Sequence, residues 1–248
     1  MANRNSRKYP DNGNELITRL YGYSVSGSKW ELLLKYFQDA FPMIVYCLVY
    51  LIFFHALEKG VPGSYHVIHS DIDDHIPFLE IFIIPYLGWF FYVGYHAVKM
   101  YIHDRKEYHR LCTMLVIGMS VFILVSAVWP NRLLLRPVAM PRNNIFTDMV
   151  KELYVADTPT NVFPSIHVFN TLAVITAVWS SDSAYARKPF MRYGTLIFGI
   201  LIILSTMFLK QHSAIDVTCA FLMWYLCRVL VYQHHFCFIR NNAEKESA

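Results

Sequence analysis

Charge is missing from this chain in five long stretches: no Asp, Glu, Lys or Arg occurs in 40–57, 81–98, 111–131, 158–181 or 193–209. Each run is close to the ~20 residues a helix needs to cross a bilayer. Such runs exclude an ordinary soluble domain, whose surface helices keep a polar face. The composition, 55% hydrophobic and 16% aromatic, is concentrated in these blocks. A sixth apolar run, 213–235, contains Asp216 and Arg228. Arg228 lies far enough along it to snorkel toward one interface while Asp216 stands near the other. The pattern predicts an all-α polytopic membrane protein, a six-transmembrane-helix bundle.

Cysteine is sparse and unpaired in spacing. Cys47, Cys112, Cys219, Cys227 and Cys237 are odd in number and scattered, which excludes a disulfide framework or a cysteine metal site and leaves them as small apolar fillers. There is no fixed-period repeat and no low-complexity tract. The first 39 residues hold no apolar stretch suited to a cleaved signal, so span one is expected to act as its own targeting element. The expected layout is a single membrane domain over 1–248: an N-terminal segment 1–39, a six-helix catalytic core 40–235 and a tail 236–248. Trp30, Leu32, Leu33, Leu34, Tyr36 and Phe37 interleave with Lys29, Glu31, Lys35, Gln38 and Asp39. That pattern suits a helix lying in the interface and suits a solvated packing helix nearly as well.

An even number of spans puts both termini on one side with the turns near 99–110 and 181–192. That side collects Arg4, Arg7, Lys8, Arg19, Lys99, Arg105, Lys106, Arg110, Arg187, Lys188 and Arg192 among others, against Lys59, Arg132, Arg136, Arg142, Lys151 and Lys210 on the second face. The positive-inside rule then makes the termini cytoplasmic and turns the second face outward or into a lumen. The net charge of +4 is accounted for by topology and gives no nucleic-acid footprint.

Three remote segments meet the second face. His212 and Asp216 are four apart, so on a helix they share one face. A carboxylate that takes one imidazole proton leaves the other nitrogen as a nucleophilic lone pair. A self-satisfied helix-end pair is the plainer alternative. Ser165 and His167 follow Thr160-Asn161-Val162-Phe163-Pro164, where Thr160 or Asn161 can cap and Pro164 suits a first helical position. Such a helix start offers free N–H groups and a hydroxyl to a phosphate oxygen, or is a cap and nothing more. Arg136, before Pro137, suits bidentate phosphate contact or serves as a headgroup anchor. Lys210 could neutralise a phosphate beside His212, or simply snorkel.

These segments resemble the type 2 phosphatidic acid phosphatase superfamily, whose membrane members are six-span lipid phosphatases and phosphotransferases. Its first signature, Lys, six residues, Arg-Pro, is matched by Arg136-Pro137 with Trp129 at the lysine position. Its second, Pro-Ser-Gly-His, is matched by Pro164, Ser165 and His167 with Ile166 for glycine. Its third is matched by Ser205, His212 and Asp216 at full spacing, with Thr206 where arginine is expected. Two family cations are therefore missing, and Arg132 and Lys210 are the candidates to replace them. The departures resemble the branch of inositol phosphorylceramide and sphingomyelin synthases. The resemblance implies a lipid phosphate substrate, a phosphohistidine on His212 stabilised by Asp216, and His167 as acid and then base. Arg136, Ser165 and Lys210 would bind phosphate, with no metal and no other cofactor. Hydrolysis of a phosphomonoester or pyrophosphate lipid is the first expectation and headgroup transfer the second. A non-catalytic lipid-phosphate binder or transporter is the rival from another class.

The loop between spans one and two holds Tyr65, His66, His69, Asp71, Asp73, Asp74 and His75. Its spacing fits no metal motif and a solvated acidic loop is the plainer reading. Asp73 and Asp74 are also candidate ligands for a headgroup's hydroxyls or amine. Ile145, Phe146, Met149, Val150, Leu153 and Tyr154 recur at helical spacing, which predicts a short interfacial helix near the site or ordinary loop packing.

Overall fold

The structure is a computed structural model that describes residues 29–59 and 64–234; the side chains of 29–36 and 39 lie outside that description. The chain forms two compact units, Met1–Val45 and Tyr46–Ala248. In the first, the described backbone is the start of helix α1 (Lys29–Lys59), on which Phe37 and Phe41 stack one turn apart with centroids 5.4 Å from each other. No break separates 29–39 from the span that follows.

The regular structure described in the second unit is helix, one two-stranded ladder and an isolated bridge between Arg132 and Thr160. After α1 come strand β1 (His66–Val67), the single turn α2 (Asp71–His75) and the long helices α3 (Ile83–His103) and α4 (Arg105–Val128). Then follow strand β2 (Asn131–Arg132), α5 (Ile145–Ala156), α6 (Ile166–Ser180), α7 (Pro189–Phe208) and α8 (Ala214–Arg228), the last running into a wide turn at Val229–Gln233. Among the described residues, five helical stretches are long and apolar enough to cross a membrane: Ala40–Lys59, Glu80–His103, Arg105–Val128, Pro189–Phe208 and Ala214–Gln233. They mark an integral membrane protein.

The predicted sixth span is the one that falls short. The charge-free run 158–181 is an irregular, proline-bearing segment as far as Ser165 and only then helix, so α6 has 15 residues. At 1.5 Å per residue that is about 22 Å, less than the ~30 Å hydrocarbon core. Burial reaches all sides of α6, from Val168 and Phe169 through Ala173, Val174 and Ala177 to Val178, so it is the axis around which α3, α4, α7 and α8 gather. Its approach to α4 is close: a Cβ built on Gly118 would stand 2.1 Å from the Phe169 ring.

At the peripheral end of this series, only 6% of the most apolar window of α1 is buried within the protein, against 44% for α4. Tyr46 ties α1 to α4 by donating to the Val116 carbonyl at 3.1 Å. Below it Tyr50, Phe54 and Phe122 continue as a ladder of rings spaced 6.0 and 6.2 Å.

Three loops are stitched together at one end. β1 and β2 pair in parallel with His66 opposite Asn131, and the Ile68 amide donates to the Arg132 carbonyl. Asn131 is fully buried, and its side-chain oxygen accepts from the amides of Val162 and Phe163. Ile68, Leu133 and Val162 form an apolar knot beneath this seam, and a second cluster of Ile83, Tyr86, Val150 and Leu209 seats α5. The stitching fixes where the segment before α6 and the turn before α8 can meet.

Candidate active site

The turn that carries His212 is set by backbone geometry. Lys210 adopts φ 52°, and the amides of Gln211 and His212 both donate to the Thr206 carbonyl, ending α7. Helix α8 begins only at Ala214, capped by Ser213 in a reciprocal box with Asp216. His212 thus lies before the helix, and the expected shared helical face is corrected: the pair is joined across a cap. His212 Nδ1 is 3.4 Å from Asp216 Oδ2, which also accepts the Ser213 amide at 2.8 Å. His212 and Asp216 are 6% and 0% exposed, so this pairing is sealed from water.

Helix α6 begins at Ile166, two residues after Pro164, the expected first helical position. Ser165 is itself the N-cap, fully buried and accepting the Val168 amide, so neither Thr160 nor Asn161 caps and Pro164 stands outside the helix. His167 projects into an aromatic box, its ring 4.8 Å from Tyr86 and 4.4 Å from Trp89. His167 Nδ1 is 3.5 Å from His212 Nε2. The two imidazoles are brought together from segments 45 residues apart.

The expected phosphate ligands are otherwise engaged. Arg136 donates to the carbonyls of Tyr154 (3.0 Å) and Asp157 (2.6 Å) and to Gln211 Oε1 (2.5 Å), with its guanidinium 4.2 Å over the Tyr154 ring. Burial lowers its pKa from the usual arginine value, with Asp157 opposing. Lys210 donates to the carbonyls of Asp73 (2.7 Å) and Ile76 (2.5 Å), and burial lowers its pKa too. Arg132 is exposed near the Tyr65 ring and does not line the histidine cavity. Trp129, at the missing lysine position, stacks on His66, and the Thr206 hydroxyl is turned back to the Ile203 carbonyl.

Asp73 corrects the headgroup expectation. It is 1% exposed, and its carboxylate accepts from the Ser213 hydroxyl at 2.6 Å and from the Ala214 amide at 2.8 Å, as well as from Ser70. With both oxygens spent on the start of α8 it has no face for a headgroup. Asp74 is exposed and pairs with His69 at 3.0 Å, which lowers the pKa of the acid and raises that of the imidazole. Among the described residues no cluster of three metal-type ligands occurs.

Two acids missed in the sequence stand at the histidines instead. Asp157 accepts from Tyr86 at 2.9 Å and, at 3.4 Å, from Gln211, and Glu58 accepts from the Thr158 hydroxyl at 2.5 Å. Each is one of the two acids that flank a charge-free run, Asp157 with Asp182 around 158–181 and Glu58 with Asp39 around 40–57, and in each case it is the acid on the side of the second face. Burial pushes the Asp157 carboxyl above its ordinary range, with Tyr86, His212 and Arg136 pulling the other way. Both acids line a narrow cavity of about 40 Å³ with His167 and His212. Alongside it lies an apolar cleft of about 580 Å³, bounded by Tyr50, Leu51, Trp89, Phe90, Met149 and Leu153, which also reaches His167.

No protein-family model matches the chain, and no curated protein or solved structure matches it.

Proposed function

We propose that this membrane protein is a lipid phosphate phosphatase working through a phosphohistidine, as the resemblance to the type 2 phosphatidic acid phosphatases implies. The observation that carries the reading is the continuous line Asp216–His212–His167 at the inner end of an apolar cleft wide enough for an alkyl chain. Asp216 beside Nδ1 favours the tautomer whose Nε2 lone pair is free to attack. In the first half-reaction Nε2 forms a bond to phosphorus, the ester oxygen leaves, and His167 gives it a proton. In the second, His167 takes a proton from water, the water oxygen bonds to phosphorus, and the P–N bond breaks to release phosphate.

The 3.5 Å contact puts a condition on this scheme. His212 Nε2 now faces His167, whereas a near-attack phosphorus must itself stand about 3–3.5 Å from the nucleophile. The rings therefore part when the phosphoryl group arrives. The amides opening α6 and its positive dipole end supply the local donors for the phosphate.

The same proposal takes α6 as a short sixth span, sets both termini in the cytoplasm and turns the histidine end outward or to a lumen. Transfer of a phospho-headgroup to a lipid alcohol uses the same two half-reactions with an acceptor hydroxyl in place of water. Wild type and His212→Ala, given lipid phosphates with and without an acceptor alcohol, test the reading by product. Free phosphate from wild type alone supports hydrolysis, and a new phosphodiester lipid supports transfer. Turnover at wild-type rate in His212→Ala removes the nucleophile. A wild type inert toward every phosphate ester leaves a lipid-phosphate binder.

A further inference from the structure

The narrow cavity behind the histidines has the wrong charge for the phosphate it adjoins. Among the described residues its polar wall is Glu58, Asp157, Thr158, Thr160, Asn161 and Gln211, with no lysine or arginine. Arg136, outside this lining, is engaged by the carbonyls of Tyr154 and Asp157 and by the Gln211 side chain, and Lys210 is held by two carbonyls. Asn161 is 7% exposed, yet among the described residues its side-chain oxygen has no hydrogen-bond partner. A phosphoryl group placed past the histidines, against this acidic wall, would meet two carboxylates, whereas a cation there would pair with them and give the buried amide oxygen a donor. At about 40 Å³ the space holds about three water-sized groups, room for an ammonium and the carbons that carry it.

We propose that this cavity receives a primary ammonium carried by the substrate two carbons from its phosphate ester oxygen, with Glu58, Asp157 and the Asn161 oxygen as its acceptors. The inference rests on the phosphatase or phosphotransferase reading of the histidines. Because the same wall carries both imidazoles, the ammonium lies one small group away from the reacting phosphorus, a span that two carbons cover. Asp157 also faces the apolar cleft, as do Phe54, Ile166 and His167, so one molecule can lay its chain in the cleft, its phosphate at the junction and its amine beyond.

The amine could belong to the leaving alcohol of a monoester or to the headgroup of a diester, and paired probes separate them. Purified protein is given dodecyl phosphate against 2-aminododecyl phosphate, and dodecyl ethyl phosphate against dodecyl 2-aminoethyl phosphate. A gain in kcat/KM of about tenfold or more with the amine is expected in one pair, the worth of a charge-assisted hydrogen bond, and the pair that shows it identifies the source. The N-trimethylated form of that probe should lose the gain, and in Glu58→Gln and Asp157→Asn the amine-to-control ratio should fall at least fivefold. A wild-type ratio near one in both pairs, or a gain kept by the trimethylated probe or by both variants, overturns the proposal. If no ester is turned over, the phosphatase reading fails on its own. Dodecylammonium then decides the cavity: it should raise the melting temperature of wild type and not of Glu58→Gln, and equal shifts in the two overturn the site.

Discussion

Asp73 and Ser213, 140 residues apart, are joined by a buried 2.6 Å hydrogen bond that ties the loop before α3 to the cap of α8. The same loop holds Lys210 through the carbonyls of Asp73 and Ile76. His212 is therefore flanked on both sides by residues that one distant loop holds still. That is how a turn lacking helical support presents an imidazole in a fixed direction.

Asp73→Ala should strand the Ser213 hydroxyl and the Ala214 amide in a buried site, costing about 2–4 kcal/mol. Displacement of His212 should lower kcat by about a hundredfold, more than KM rises. Asp73→Asn keeps one acceptor and should recover part of both losses. Asp74→Ala, whose acid is exposed and pairs only with His69, should stay within about 0.5 kcal/mol of wild type. Thermal melts and steady-state kinetics of the three variants check this, and an Asp73→Ala enzyme with wild-type kcat would remove the positioning role.

Asp157 makes a pH prediction whose sign can be worked through. Its unfolded carboxyl titrates near about 3.9, and burial raises the folded value above that. The folded protein thus holds the proton more tightly. The stabilisation this gives is complete below the unfolded pKa and is lost as pH rises through the folded one. Asp157→Asn stays neutral and can still accept from Tyr86. Its stability relative to wild type should rise from acid pH and level off above the folded pKa, read from melting temperatures at stepped pH. Parallel curves for the two proteins would contradict the shift.

Removing His167 should change the shape of the rate profile as well as its height. With His212 required neutral and His167 protonated at the first step, wild type should give a bell in kcat/KM. His167→Ala should lose about 10²–10⁴-fold in rate and keep only the acid-side limb. A bell of unchanged shape in that variant assigns the second ionisation elsewhere.

Much of this architecture was legible in the chain because hydrocarbon enforces a simple rule: runs free of charge become helices. The rule misjudged 158–181, since Pro159 and Pro164 keep the first part of a charge-free run out of helix, and α6 is short as a result. His167, His212 and Asp216 could be found from spacing. Their mutual approach could not, because it depends on β1 pairing with β2 and on Asn131 pinning the amides of Val162 and Phe163. The expected cations failed for a related reason. A sequence shows that Arg136 and Lys210 are charged but not that main-chain carbonyls already surround them.

Gly118 tests the packing that seats His167. A methyl there would lie 2.1 Å from the Phe169 ring, two residues beyond His167 on the fully buried α6. Neither ring nor helix has space to retreat. Gly118→Ala should cost about 1–3 kcal/mol by overpacking, despite the better helix propensity of alanine. A melting temperature at or above that of wild type would show that α4 and α6 can slide apart.

The cleft beside α5 should matter in proportion to chain length. Ala156 is exposed and lines it next to Asp157 and His167, so Ala156→Phe puts a ring where an alkyl chain would lie without touching the His212–Asp216 pair. Each methylene excluded from an apolar site forfeits about 0.8 kcal/mol, so displacing two or three of them is worth a tenfold change or more. The ratio of kcat/KM for dodecyl phosphate over butyl phosphate should therefore fall about tenfold in the variant, mainly through KM for the longer ester. An unchanged ratio would mean that the chain reaches the histidines by another path.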